Sequence, residues 1–135
     1  MFRRLNVYYK EDKSFDTSDY LGFRVLEDGF TFSFTKDVEY GIDGECWISL
    51  PANTTSEIVN TGQLVSIRAT ITPDSSSGVG TFTINKKCNL EGNPLSLVYG
   101  GSQDDKPFTT KTTFPKYALR GLFKNCSTIQ NANSI

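Results

Sequence analysis

The chain has 135 residues, with 14 Lys and Arg against 15 Asp and Glu, and no histidine. That length is one domain, or one domain with a short appendage, and can bury a core without disulfides or a structural metal. The missing histidine excludes Ser-His-Asp and Cys-His catalysis, histidine zinc sites and imidazole pH switches. A net charge of -1 leaves no global field drawing the molecule to nucleic acid or anionic lipid.

Three cysteines, Cys46, Cys88 and Cys126, cannot complete a four-thiolate zinc site, and their odd number leaves at least one thiol free. Free buried cysteine is the expected state. The first ten residues are basic without an apolar run behind them, so no export signal is expected in this chain. No apolar segment is long enough to span a membrane, so membrane insertion is not expected.

Leu5 to Tyr9 predicts a short first strand, and residues 11 to 19 are polar and aperiodic, which predicts a loop. The period then becomes two. Leu21, Phe23 and Val25 alternate with Gly22, Arg24 and Leu26, and Phe30, Phe32 and Phe34 alternate with Thr31 and Ser33, so each segment can bury one face. Asp28-Gly29 between them is a hairpin signal. Val38, Tyr40 and Ile42 form the next set, followed by Asp43-Gly44 and a strand from Glu45 to Leu50.

A two-residue turn there sets Tyr40 opposite Trp47. Val38, Tyr40 and Ile42 then share a side with Trp47, and Cys46, Ile48 and Leu50 take the other. Apolar groups on both faces predict a central position or an extra layer. Residues 64 to 72 read as the strongest strand, with Val65, Ile67, Ala69 and Ile71 inward and Ser66, Arg68, Thr70 and Thr72 outward. Pro73 ends it, a loop runs through 74 to 78, and Phe82 and Ile84 belong to the following strand. Strands at this spacing predict a mainly β chain, an antiparallel β-sandwich over 1–91.

Beyond residue 92 the pattern changes. Asn93 as N-cap and Pro94 at the first helical position precede Leu95 to Tyr99, closed by Gly100-Gly101. Residues 92–114 read as this helical turn and a polar linker. A helix from Pro115 through Lys124 and an extended segment from Thr128 to Ala132 make 115–135 a helix-strand unit outside the sandwich.

No constellation completes a chemistry. Asp12, Ser14, Asp16 and Ser18 alternate like calcium ligands, but Thr17 stands where glycine is needed and Phe23 where a bidentate Glu is needed. Asp43 and Glu45 flank a turn glycine, as a type I′ hairpin asks, and Asp104 and Asp105 read as solvated. Gly78-Val79-Gly80 and Gly100-Gly101 lack the rest of a nucleotide loop. Lys106, Lys111, Lys116, Arg120 and Lys124 with Tyr117 and Phe123 read as a solvated helix face above a core stripe, not a nucleic-acid surface. Tyr8, Tyr9, Tyr20, Tyr99 and Trp47 could line a sugar platform, although a sandwich of this size buries most such rings. No catalytic residue, cofactor or metal is expected.

The segment Asn89 to Gly100 resembles the junction in BspA-like leucine-rich-repeat proteins of gut bacteria, where a β-sandwich leader ends and the repeats begin. Tyr117 to Ile129 resembles one such repeat: an aromatic helix, Leu-Phe, a small residue, Cys, then Ser/Thr and an aliphatic. Tyr40-Gly41-Ile42-Asp43-Gly44-Glu45-Cys46-Trp47 is similar to the leader's hairpin, and 63 to 84 matches in outline. The resemblance implies that Leu119, Leu122, Phe123, Cys126 and Ile129 are structural repeat core. It also implies a surface-exposed adhesion or protein-binding module without catalytic residues, on a cell or, since such leaders occur in phage proteins, on a virion.

About three or more stacked repeats are normally needed for stability, and this chain contains a single unit. A single unit is therefore expected to dock on the sandwich, on another chain, which would make a homo-oligomer through the C-terminal unit, or within a longer array. The first expectation is a non-enzymatic recognition module with an Ig-like or jelly-roll-like sandwich and a protein or glycan partner. Its rivals are a structural or decoration protein of a virion and a carbohydrate-binding sandwich.

Overall fold

A computed structural model describes residues 15–73, 78–100, 121–124 and 126–134. The expected first strand, Asp12 and Ser14 of the calcium-like loop, the linker with Asp104 and Asp105, and Lys106, Lys111, Lys116, Tyr117, Leu119 and Arg120 lie outside the described residues.

In chain order the elements are β1 (Leu21–Val25), β2 (Phe32–Phe34), β3 (Val38–Ile42), β4 (Ile48–Leu50), β5 (Leu64–Arg68), β6 (Phe82–Ile84), β7 (Cys88–Glu91), helix α1 (Ser96–Tyr99) and β8 (Ile129–Ser134). The fold is mainly β. A six-stranded sheet runs β4-β3-β5-β1-β7-β8 and a two-stranded sheet pairs β2 with β6. Neighbours in the larger sheet are antiparallel except β7 and β8, which are parallel. Every described pair within 1–91 is antiparallel, as expected, and the parallel neighbour comes from the C-terminal segment, which was expected to lie outside the sandwich.

The period-two reading of Leu21, Phe23, Val25, Phe30, Phe32 and Phe34 holds, since all six are buried. Their hairpin does not. β1 pairs with β5 and β7, whereas β2 pairs with β6. Asp28-Gly29, with Gly29 at φ 85°, turns the chain from one sheet to the other. The Phe23 ring then meets Phe32 at 5.8 Å and Phe82 at 5.0 Å across the core. Side-by-side pairing would have put both apolar faces in one layer with nothing opposite them.

The second turn forms as expected, with Asp43 and Gly44 at φ 55° and 77° and Glu45 N–H donating to the Ile42 carbonyl at 3.2 Å. The register differs. Tyr40 opposes Ile48 and Val38 opposes Leu50. The segment from Glu45 to Trp47 therefore holds one residue more than a strict hairpin, and every later side chain changes face. Tyr40 points into the core against Phe32 at 5.4 Å, while Trp47 lies on the opposite face with Arg68. The expected sharing of a face by Tyr40 and Trp47 is overturned, and β4 is an edge strand rather than a central one.

Strand β5 is shorter than expected and buried on both faces, including Ser66 and Arg68. Only Thr70 and Thr72 of the outward set are exposed. Past Arg68 the backbone turns to α1: Ala69 N–H donates to the Ser96 carbonyl at 2.9 Å and Ile71 N–H to the Leu97 carbonyl at 3.1 Å. The Asn93-Pro94 signal is realised only in part: Asn93 Oδ1 accepts from Leu95 N–H at 3.0 Å, but α1 begins at Ser96 with Leu95 as its N-cap and no side-chain capping bond, so Pro94 lies in the turn before it, and Gly100 N–H closes on the Ser96 carbonyl. The helix through Lys124 does not reach that far. Residues 121–124 form a turn, with Gly121 at φ 70°, which an α-helix cannot hold.

Candidate functional site

The C-terminal unit is positioned by both sheets. Phe82 N–H on β6 donates to the Leu122 carbonyl at 3.0 Å, and Cys126 Sγ donates to the Phe82 carbonyl at 3.2 Å. Thr128 Oγ1 donates to the Ile84 carbonyl, and Cys88 N–H on β7 donates to the Thr128 carbonyl. Residues 121–124 and 126–128 thus run beside β6 before β8 joins β7. Of the repeat-core set, Leu122 is buried, and Phe123, Cys126 and Ile129 pack against the same core, with Phe123 stacked on Phe82 at 5.7 Å. Leu119 lies outside the described residues.

Burial disfavours the thiolate form of both Cys88 and Cys126. Burial pushes the Cys88 thiol up to about 12, with nearby Cys126 acting the same way, and burial also raises Cys126. The fold keeps the Cys88 proton that an unfolded chain gives up near 9, so this stabilisation is complete below that pH and is lost as pH climbs toward about 12. Over that window the wild-type chain is expected to lose stability faster than Cys88→Ala, by up to about 1.4 kcal/mol per pH unit. Urea unfolding of both proteins across the range measures it, and equal slopes would contradict the assignment.

Two surface regions gather polar side chains. The first is a groove of about 250 Å³ beside the β3–β4 turn, lined by Ile42, Asp43, Glu45, Cys46, Ile48, Glu57 and Gln63. Its carboxylates have structural work. Asp43 accepts from Leu64 N–H at 3.0 Å and from Gln63 Nε2 at 3.4 Å, and Glu57 accepts from the Tyr40 hydroxyl at 3.2 Å while its N–H donates back to that oxygen. Asp43 and Glu45 therefore form turn and groove wall, and no positioned acid–base pair is built from them.

The second region is the outer face of β3 and β5. Phe15, Tyr20 and Trp47 form a box of rings there. Phe15 stacks on Trp47 at 4.0 Å, and Tyr20 meets Phe15 at 5.2 Å and Trp47 at 4.9 Å edge-on. Arg68 sits over the Trp47 ring, 4.4 Å from its centre, and is paired to Glu39 Oε1 at 2.7 Å, so its buried charge has an ionic partner. Burial raises the Tyr20 hydroxyl pKa against the opposing pull of Arg68. This is the extra layer the sequence called for, supplied by the residues before β1.

Among the residues named for a sugar platform, Tyr20 and Trp47 come together here, Tyr99 lies at the end of α1, and Tyr8 and Tyr9 are outside the described residues. Phe15, Glu39, Ser66 and Arg68 carried no sequence signal for this site, since only the pairing of β3 with β5 gathers them. Asp16 and Ser18 of the calcium-like loop bond to each other: Asp16 Oδ1 accepts from Ser18 N–H and from the Ser18 hydroxyl, capping the 3-10 turn Thr17–Asp19, and these bonds lower the Asp16 pKa. Among the described residues no group of three or more acidic, Cys or His side chains could hold a metal. No described helix is long and apolar enough to cross a membrane. Comparison of the chain with models of protein families, with curated proteins and with solved structures finds no match.

Proposed function

We propose that the chain is a non-enzymatic recognition or attachment module, exposed on a cell surface or a virion. In this reading the two sheets are an Ig-like or jelly-roll-like β-sandwich of the BspA-like leader type, and residues 115–135 are a single leucine-rich-repeat-like unit. The observation that supports it is the parallel addition of β8 to β7, with Leu122, Phe123, Cys126 and Ile129 packed on the core. A repeat that cannot bury its own faces gains its missing neighbour that way.

Binding of the fluorescently labelled chain to immobilised extracellular-matrix glycoproteins and to whole bacterial cells tests the proposal. Saturable binding to at least one surface is expected. Absence of binding together with assembly at micromolar concentration in light scattering would favour the rival reading, a virion protein that assembles through its C-terminal unit, because β8 is also an edge of the larger sheet.

A further inference from the structure

We propose that the ring box on the outer face of the larger sheet is a binding site for a pyranose ring and that the Phe15 side chain is its built-in occupant. The inference rests on the recognition reading for the existence of a ligand, and adds its place and chemical class.

On the outer face of the sheet Ser66 lies directly opposite Gly22 on β1 and Gly41 on β3. A Cβ on Gly41 would lie 2.9 Å from the tip of the Phe15 ring, so that ring fills the space left by the missing side chain. Residues directly opposite in a sheet share a face with Cβ atoms about 5 Å apart, which sets the Ser66 hydroxyl beside the same ring. Ser66 is fully buried and its Oγ has no hydrogen-bond partner. An unpaired hydroxyl under an apolar ring is costly, and alanine would fill the position without that cost.

A pyranose changes the balance. It is a saturated ring of phenyl size whose C–H face packs on an indole as Phe15 does on Trp47, and its hydroxyls reach partners that a phenyl cannot. Ser66 Oγ is one. Arg68 and Glu39, beside the indole, offer a donor and an acceptor in fixed positions. Phe15 N–H is tied to the Gly44 carbonyl at 3.1 Å, so the ring can swing out on its own torsions while the main chain stays anchored.

Trp47 is the single tryptophan, and its emission reports the box directly. The whole chain is titrated with methyl β-galactopyranoside, methyl α-mannopyranoside and N-acetylglucosamine, with phenol as the apolar-ring control. A saturable change is expected with at least one sugar in the millimolar range. Phe15→Ala, which removes the competitor, is expected to tighten binding several-fold, and Ser66→Ala to keep the fold and weaken binding about tenfold, the worth of one hydrogen bond. No saturable response to any sugar in wild type and Phe15→Ala, a response to phenol alone, or unchanged affinity in Ser66→Ala would each overturn the proposal. Should Phe15→Ala not fold, the Ser66→Ala comparison in the wild-type background decides. None of these outcomes alters binding of the labelled chain to a protein surface, so the recognition reading stands or falls separately.

Discussion

Phe82→Ala is expected to cost about 3–5 kcal/mol of unfolding free energy, the range for emptying a fully buried phenylalanine site. Phe82 is 1% exposed and meets Phe23, Phe34 and Phe123 at 5.0, 4.3 and 5.7 Å. These rings come from the larger sheet, the smaller sheet and the C-terminal turn. One truncation therefore loosens all three at once, and the strands carrying the rings are too well bonded to collapse into the space. Guanidinium unfolding checks the value, with the denaturant slope unchanged. A loss below about 1 kcal/mol would mean that the two sheets do not share one core.

Gly92→Ala is expected to be the other large loss. Gly92 follows β7 at φ 87°, and a Cβ there would overlap the Tyr20 carbonyl just before β1. Two costs add: strain of a left-handed non-glycine residue, about 1–3 kcal/mol, and separation of two backbone segments that touch. Gly62→Ala isolates the first cost, since Gly62 has φ 90° and a Cβ there would meet nothing within 4 Å. The difference between the two variants in thermal unfolding measures the close approach alone. Equal losses would contradict the contact between the end of β7 and the start of β1.

Features fixed by neighbours in sequence were legible, and features fixed by neighbours in space were not. Alternation at Leu21 to Val25 and Phe30 to Phe34 names the buried face, because a strand's side-chain period is local. Asp28-Gly29 states that the chain reverses, but not whether the flanking strands pair or cross between layers. The same limit explains Trp47. Asp43-Gly44 fixes its turn, while the extra residue between Glu45 and Trp47 is decided by how β4 meets β3, and it moves Trp47 to the other face.

Ser66 and Arg68 read as solvent-facing because nothing near them in sequence covers them, yet both are buried, and Arg68 is met by Trp47 from 21 residues away along the chain. Strand β7 escapes a reading by turn spacing, although Cys88 and Leu90 alternate with polar residues over its four positions. The turn at Asn93-Pro94 and the extended segment after Thr128 were legible, yet the residue that caps α1 and the partner of that segment were not. Parallel pairing across a long crossover leaves no local trace.

Everything proposed for the C-terminal unit depends on its belonging to the fold of its own chain. Amide hydrogen exchange on the monomer, with its size checked by light scattering, tests this at two residues. Phe82 N–H donates to Leu122 and Cys88 N–H to Thr128, so both are satisfied only when that unit is docked. The expected result is protection of both amides comparable to that of Phe23 in the centre of the larger sheet. Rapid exchange at Phe82 and Cys88 in a monomer that still protects Phe23 would show the unit undocked, and would contradict its place in the fold.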